Sequence, residues 1–458
     1  MKRRFQLLLS FFLSLAFILS ILTGCAKKEN AKAGPLRICI DTGFHAGHVD
    51  YANKEDGAKH LAQMVASHID DLEAEDIELE IIPKSGTERQ TALTRIRTEI
   101  MSGEGPDVFL CSTVDTSAYG SAETVLFPFP ERAMEDGLFL PLDKYIEHAE
   151  YMEWDKMLPA AMEAGKTENG QVILPISFAM PITAYLEGET ELPAADTTFA
   201  DVVASNDPIL QSSMAYTGRW EQQFMRCYFP YLFTGIANYK TGELAFTEDD
   251  LFQLTRDVAG LKNNEPENLP AHFSDQLTFE TYNYFIAGVG VPPARQGINK
   301  NDNQVMLPLY NIDGGATALI CSFGAVNANT RRPKSAFLVL DYFLSPYMHR
   351  NSELYAFFCQ NSLPVHMEMG EARDMSTGFI KTSPYKVKYC TSIDSHVFAP
   401  YSKAREQISY ARFNTVLDQE LMKFATSSSG SIVADNEEAL RKNVSDTYTK
   451  MQRLLDES

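Results

Sequence analysis

IMSGEGPDVFLC, residues 100–111, sets Gly103, Gly105 and Pro106 between a helical pattern and an apolar run. Two readings compete. A glycine loop that holds phosphate follows a strand and opens a helix, so that free N–H groups and the positive end of the helix dipole face the anion. Here the order is reversed, with the glycines after a helix and before a strand. A helix C-terminus offers carbonyl oxygens and partial negative charge, which repel phosphate. Gly103 is therefore expected as the left-handed residue just past a helix end, with Pro106 barring further helix. The stretch reads as a corner of the fold.

Outward from that corner the pattern is regular. DVFLC (107–111) is a buried strand, and ERQTALTRIRTEIM before it has helical spacing through Leu93, Ile96 and Ile100. IELEII (77–82) alternates apolar and acidic residues, as a strand with one wet face does. Ala58, Leu61, Ala62, Val65, Ile69 and Leu72 fall on one helix face, and LRICI (36–40) is a short buried strand. Strand, helix, strand, helix, strand implies a parallel sheet with crossover helices. Further on, Thr247 followed by Glu248, Asp249 and Asp250 starts a helix with Leu251, Leu254, Val258 and Leu261 on one face. Leu440, Val444, Met451 and Leu455 stripe the last helix.

Lys2, Arg3 and Arg4 precede an apolar run from Phe5 to Leu22, then Leu22-Thr23-Gly24-Cys25. A basic start, an apolar core and small residues before a cleavage point make a secretory signal over residues 1–24. Leu-Thr-Gly-Cys looks like the lipobox of bacterial lipoproteins, in which Cys25 is lipidated and becomes the new N-terminus. Residues 25–35 would then be a polar tether. More than one acyl chain gives stable anchoring; an uncleaved membrane helix is the alternative.

Removing residues 1–24, which carry three basic and no acidic side chains, takes the formal charge from −21 to −24 and leaves 434 of the 458 residues. That acidity argues against nucleic acid or an anionic membrane surface as partner. The length suggests two to three domains. The cysteines beyond Cys25 (Cys39, Cys111, Cys227, Cys321, Cys359 and Cys390) form no Cys-x-x-Cys and mostly read as small buried hydrophobes, with an oxidised pair as the alternative in an exported protein. His45, His48 and Asp50 in HAGHVD lack a further ligand at suitable spacing, so no metal site is expected. No Gly-x-Ser-x-Gly is present and nothing selects a carboxylate pair, so neither a catalytic residue nor a cofactor is expected.

SGEGPDVFL (102–110), MEDGLFLPLDKYI (134–146), TENGQVILPISFAMPITAY (167–185), TFADVVA (198–204), ALICSFGAVNANTRRPKSAFLVLDYFLS (318–345), NSLPVHMEM (361–369) and the closing helix from Asn436 follow in an order that resembles the family 1 extracellular solute-binding proteins, receptors of ABC importers. The resemblance implies an α/β, two-lobed periplasmic-binding-protein-like fold of type II. Each lobe would be a mostly parallel sheet flanked by helices, with the ligand cleft between lobes. It places residues 36–176 plus 310–347 in the N-terminal lobe and 177–309 plus 348–458 in the C-terminal lobe, with crossings near 174–179, 305–312 and 344–350.

Ligands of open α/β sheets bind beyond the carboxyl ends of strands. Phe44 and His45 after the first strand, and Ser112, Thr113 and Asp115 after the third, are the first-lobe candidates, with ordinary turn chemistry as the alternative for each. Ser177 and Phe178 lie on the crossing strand. Arg219, Trp220 and Tyr228 are second-lobe candidates, with Arg295 and Tyr310 behind them. Most of Phe224, Tyr228, Phe229, Tyr231 and Phe233 read as core. The expected protein is a monomeric, lipid-anchored receptor on the outer face of a bacterial cell membrane. It would capture a solute, a carbohydrate or oligosaccharide first, and deliver it to ABC permease subunits. A polyamine, peptide or polyol phosphate ligand, a sensor subunit, and a surface glycosidase are the alternatives.

Overall fold

β1 (Leu36–Asp41), α1 (Ala52–Ala66), β2 (Ile77–Ile81), α2 (Gly86–Met101) and β3 (Val108–Ser112) follow one another in the order the spacing predicts, while Ile69 and Leu72 of the first helix stripe lie outside the described residues. The computed structural model describes residues 34–42, 52–67, 76–114, 124–186, 192–205, 229–261, 304–359, 362–369, 402–427 and 436–458. Leu36–Ser458 forms one compact unit; of Met1–Pro35 only Gly34 and Pro35 are among the described residues. The signal, Cys25 and the tether up to residue 33 therefore lie outside them.

The corner after α2 is a helix stop. Gly103 has φ +77°; its N–H donates to the Ile100 carbonyl at 3.0 Å and that of Glu104 to the Glu99 carbonyl at 2.9 Å. This is the Schellman arrangement, which satisfies carbonyls left over at the helix end. The next residues tie the corner to distant chain. Asn327 Nδ2 donates to the carbonyls of Glu104 (3.0 Å) and Pro106 (2.9 Å). The Asp107 carboxylate accepts from the Arg37 N–H at 2.9 Å and from the Thr330 hydroxyl.

Later elements complete the sheet: α3 (Pro130–Glu135), β4 (Ile173–Ala179), β5 (Ile182–Leu186), α4 (Phe199–Ala204), α5 (Glu248–Leu261), β6 (Gln304–Pro308), β7 (Ala316–Val326), α6 (Pro333–Phe343), α7 (Pro346–Asn351), α8 (Glu353–Phe358), β8 (Leu363–Pro364), β9 (Ile408–Phe413), α9 (Val416–Ser427) and α10 (Glu437–Asp456). The strand order is β8-β4-β7-β3-β1-β2, with β9 also paired to β7. β1 is parallel to β2 and β3, Ile38 lying opposite both Leu79 and Val108. β7 runs against both β3 and β4, with Ser322 opposite Ser112 and Ser177. β9 is parallel to the first half of β7, from Ala316 opposite Ile408 to Ile320 opposite Phe413. The sheet is thus mixed where a mostly parallel one was expected. β7 enters straight from the β5–β6 ladder (Pro308 opposite Ile182), with no crossover helix to turn it into the direction of β3.

Two apolar cores result. The first gathers Leu36, Ile40, Leu93, Ile96, Leu110 and Phe178; the second gathers Phe199, Phe229, Leu251, Leu417, Leu440 and Met451. β7 serves both: Ala316, Ala318 and Ile320 face the first, and Leu319 between them faces the second. At the end of β4 the side chains alternate between cores, Phe178 and Met180 in the first and Ala179 in the second, and the chain passes from first core to second again between Phe413 and Leu417. Leu344, Met348, Leu354 and Val365 stay in the first core. Ser345 caps α7, its hydroxyl accepting from the Met348 N–H at 3.2 Å. The chain then folds back, so that the Tyr355 and Phe358 rings meet Phe343 at 5.4 and 5.6 Å.

The second core is largely helical among the described residues; the β5–β6 ladder, Leu319 of β7 and the short paired strands Ala237–Asn238 and Glu243–Leu244 also contribute to it. α5 begins as its sequence predicts: the Thr247 and Asp250 side chains accept reciprocally from each other's N–H groups at 3.2 and 2.8 Å. Leu251, Leu254 and Val258 are buried, as are Leu440, Val444, Met451 and Leu455 of α10. Phe229, Tyr231 and Phe233 are core residues, as read.

Candidate functional site

A row of hydroxyls crosses one face of the sheet. Residues opposite one another on neighbouring strands project to the same side, so the pairings of Ser322 with Ser112 and Ser177 align three serines. Thr42, one residue past the Asp41–Cys111 pair, extends the row toward β1, and Ser362 extends it toward β8. The row divides in use. Ser177 and Ser322 donate to the Phe358 carbonyl at 2.7 and 2.8 Å, and Ser362 donates to Ser177 at 2.8 Å. This group serves a carbonyl at the end of α8, one of those that a helix terminus leaves without an internal partner. The hydroxyls of Ser112 and Thr42 are buried and have no hydrogen-bond partner among the described residues. An unpaired buried hydroxyl is costly in a fold, and these two stand side by side at the carboxyl ends of adjacent parallel strands.

Beneath them lies a fully buried ion pair. Arg89 donates to both Asp41 carboxylate oxygens, at 2.9 and 3.0 Å, and to the carbonyls of Thr124 (2.9 Å) and Pro83 (3.1 Å). Asp41 also accepts from the Leu126 N–H at 3.3 Å. Arg97 donates to the Leu126 and Val125 carbonyls at 3.1 and 2.5 Å. Two arginines of α2 thereby fix residues 124–126, where the chain returns from the segment after β3. The pair ties the end of β1 to the point where the chain resumes after β3.

β3 and β9 approach β7 from opposite directions and end head to head at its middle. Thr113 N–H donates to the Cys321 carbonyl at 2.9 Å and Asn414 N–H to that of Ile320 at 3.2 Å. The Thr113 hydroxyl caps the same two carbonyls at 3.1 Å each. Asn414 is buried, and its Oδ1 has no partner among the described residues. Beside it, Glu131 Oε1 accepts from the Phe413 N–H at 3.0 Å. Burial is the main influence on Glu131 and outweighs the backbone N–H groups and Arg412, so its carboxyl is pushed up from 4.5 to about 7. Arg412 is held by Asp418 at 2.7 Å and by the Pro230 carbonyl at 2.7 Å.

Of the residues singled out by sequence, Ser112 and Thr113 come together at the end of β3. Ser177 and Phe178 are interior, the serine taken up by α8 and the ring in the first core. Tyr310 is also interior: its hydroxyl donates to Gln407 Oε1 at 2.9 Å, and burial raises its pKa. Phe44, His45, Asp115, Arg219, Trp220, Tyr228 and Arg295 lie outside the described residues. Sequence reasoning passed over Thr42, Asn414 and Glu131. Thr42 directly follows a predicted strand end and could have been found by the rule that selected Ser112. Nothing local distinguishes the other two. No group of three or more potential metal ligands occurs among the described residues.

Comparison with protein-family models finds no match, and comparison with curated proteins finds none. Among solved structures, the chain is similar to an extracellular solute-binding protein of family 1 from Alicyclobacillus acidocaldarius, with TM-score 0.49 and 13% identity over 93% of this chain and 100% of that one. It is similar to a de novo designed cysteine esterase, with TM-score 0.49 and 12% identity over 93% and 99%. A periplasmic oligogalacturonide binding protein from Yersinia enterocolitica gives TM-score 0.47 and 12% identity over 92% and 99%.

Proposed function

We propose that this protein is a non-catalytic solute receptor of the periplasmic-binding-protein kind, which takes a solute at the carboxyl ends of β1 and β3 and passes it to an ABC-type importer. The observation that carries the reading is the pair of buried, unpartnered hydroxyls of Thr42 and Ser112. They sit where an open α/β sheet takes its ligand, at the roots of the segments that contain Phe44, His45 and Asp115. Hydroxyls both donate and accept, and so does each hydroxyl of a sugar. A carbohydrate or oligosaccharide is therefore the solute of choice, with Arg219, Trp220, Tyr228 and Arg295 as contacts from the second lobe. Export and lipidation at Cys25 would hold the receptor at the outer face of the membrane.

The test is a thermal-shift screen of the full chain against oligosaccharides, polyamines, peptides and polyol phosphates. A ligand that binds only the folded state raises the midpoint, and at a hundredfold excess over Kd it adds about 2.7 kcal/mol. A sugar is expected to give the shift. A shift with a polyamine and with no sugar overturns the carbohydrate reading. Anchoring is tested separately by metabolic labelling with a fatty-acid analogue, which should mark the parent and leave Cys25→Ser unmarked; an unlabelled parent overturns lipidation.

A further inference from the structure

α3 belongs to the first core through Ala133 and Met134, yet its polar side chains reach away from it. Arg132 Nη1 donates to the Tyr239 carbonyl at 2.7 Å. Glu135 and Glu168 face Lys240 Nζ at 3.4 and 3.7 Å. Phe129, which caps α3, packs on the second core and meets the Tyr239 ring at 6.1 Å. Tyr239 and Lys240 occupy the turn between the paired strands Ala237–Asn238 and Glu243–Leu244, whose Ala237 and Leu244 pack on the second core. Glu131 holds the Phe413 N–H at the place where β9 leaves the first core.

We propose that α3 is a clasp fastening the second core to the first, and that protonation of Glu131 tightens it. The groups around this carboxyl are Arg412 on β9, Asp418 in α9 and Tyr239 from the turn, with Arg132 and Glu135 on its own helix. Arg412 favours a charged Glu131 but is itself paired with Asp418 at 2.7 Å, and the Asp418 carboxylate, which accepts from the Thr415 N–H at 2.8 Å, repels a charge on Glu131. The second carboxyl oxygen of Glu131 is buried and has no partner among the described residues. That position suits a neutral acid and penalises a carboxylate. A released α3 returns Glu131 to water, where it ionises at its ordinary pKa. The group's pKa is raised in the clasped form, so its contribution is fully present below about pH 4.5 and is lost as pH rises through about 7. The ratio of clasped to released molecules should fall ~20-fold between pH 5.5 and 7.5.

The clasp does not depend on which solute is bound, and it can be tested on the unliganded full chain by small-angle X-ray scattering. The radius of gyration should rise from pH 5.5 to 7.5 in the parent. It should stay at the low value at both pH values in Glu131→Gln, whose neutral amide still accepts from Phe413. Arg132→Gln, which removes the bond to Tyr239, should raise the radius at pH 5.5 as well. A parent whose scattering does not change, a Glu131→Gln chain with the same pH response as the parent, or an Arg132→Gln chain that stays compact at pH 5.5 each overturns the proposal.

Discussion

His349 on α7 makes the stability of the protein depend on acid. The side chain is buried, and neither ring nitrogen has a partner among the described residues. Its ring packs edge-on against Tyr355 at 5.1 Å. Burial first, and then the neighbouring His366 and Arg350, lower the imidazole pKa from 6.5 to about 3. In the unfolded chain the group takes up a proton below about pH 6.5; in the folded chain it stays neutral until about pH 3. Its contribution is therefore fully present above pH 6.5 and is lost progressively as pH falls toward 3. At pH 5 the loss amounts to about 2 kcal/mol. Glu131 acts in the opposite sense, so a pH profile of the parent alone mixes the two, and a variant is needed to separate them. His349→Leu keeps the volume, removes the unpaired nitrogens and removes the titration. Urea unfolding of parent and variant at pH 7.5 and pH 5.0 gives the difference directly. The variant should gain about 2 kcal/mol on the parent between the two pH values. An equal difference at both pH values would refute the argument that burial holds this imidazole neutral.

Further outcomes concern the corner, the ion pair and the hydroxyls. Gly103→Ala should cost about 1 kcal/mol in urea unfolding, because φ is +77° and the added carbon meets nothing nearer than Asn329 Nδ2 at 4.0 Å. Arg89→Met leaves the Asp41 carboxylate buried without its guanidinium and should destabilise by about 3–5 kcal/mol. Adding Asp41→Asn to Arg89→Met should recover part of that loss, and a double-mutant cycle measures how much. Thr42→Val with Ser112→Ala removes hydroxyls that bond to nothing described, so the midpoint of unfolding should hold or rise. Affinity for the solute, read by calorimetry, should fall at least tenfold, about 1.4 kcal/mol; unchanged affinity would remove these residues from the site.

Local signals carried the first half of the fold. Leu93, Ile96 and Ile100 are buried where helical spacing put them, and Gly103 stops α2 as the order of helix, glycine and strand requires. Long-range register was not legible. Ser177, Ser322 and Ser362 look like stray polar residues in apolar runs, and they become a row only when three separate strands are aligned. Asp41 and Arg89 are 48 positions apart, and nothing in either local pattern names the other. α6 ends at Phe343 and α7 begins at Pro346; that the chain then returns to the same core depends on Phe343, Tyr355 and Phe358 finding one another. The direction of β7 was equally hidden, because an apolar run has the same composition read either way.

The sharing of β7 between two cores bears on how its gene can change. Side chains alternate between partners along Ala316–Ile320, so a conservative substitution disturbs one core at a time. Gain or loss of a single codon there would exchange the two sets of side chains, sending Leu319's neighbours into its place and Leu319 into theirs. Length in this strand should therefore be held far more tightly over time than the identity of any one residue in it.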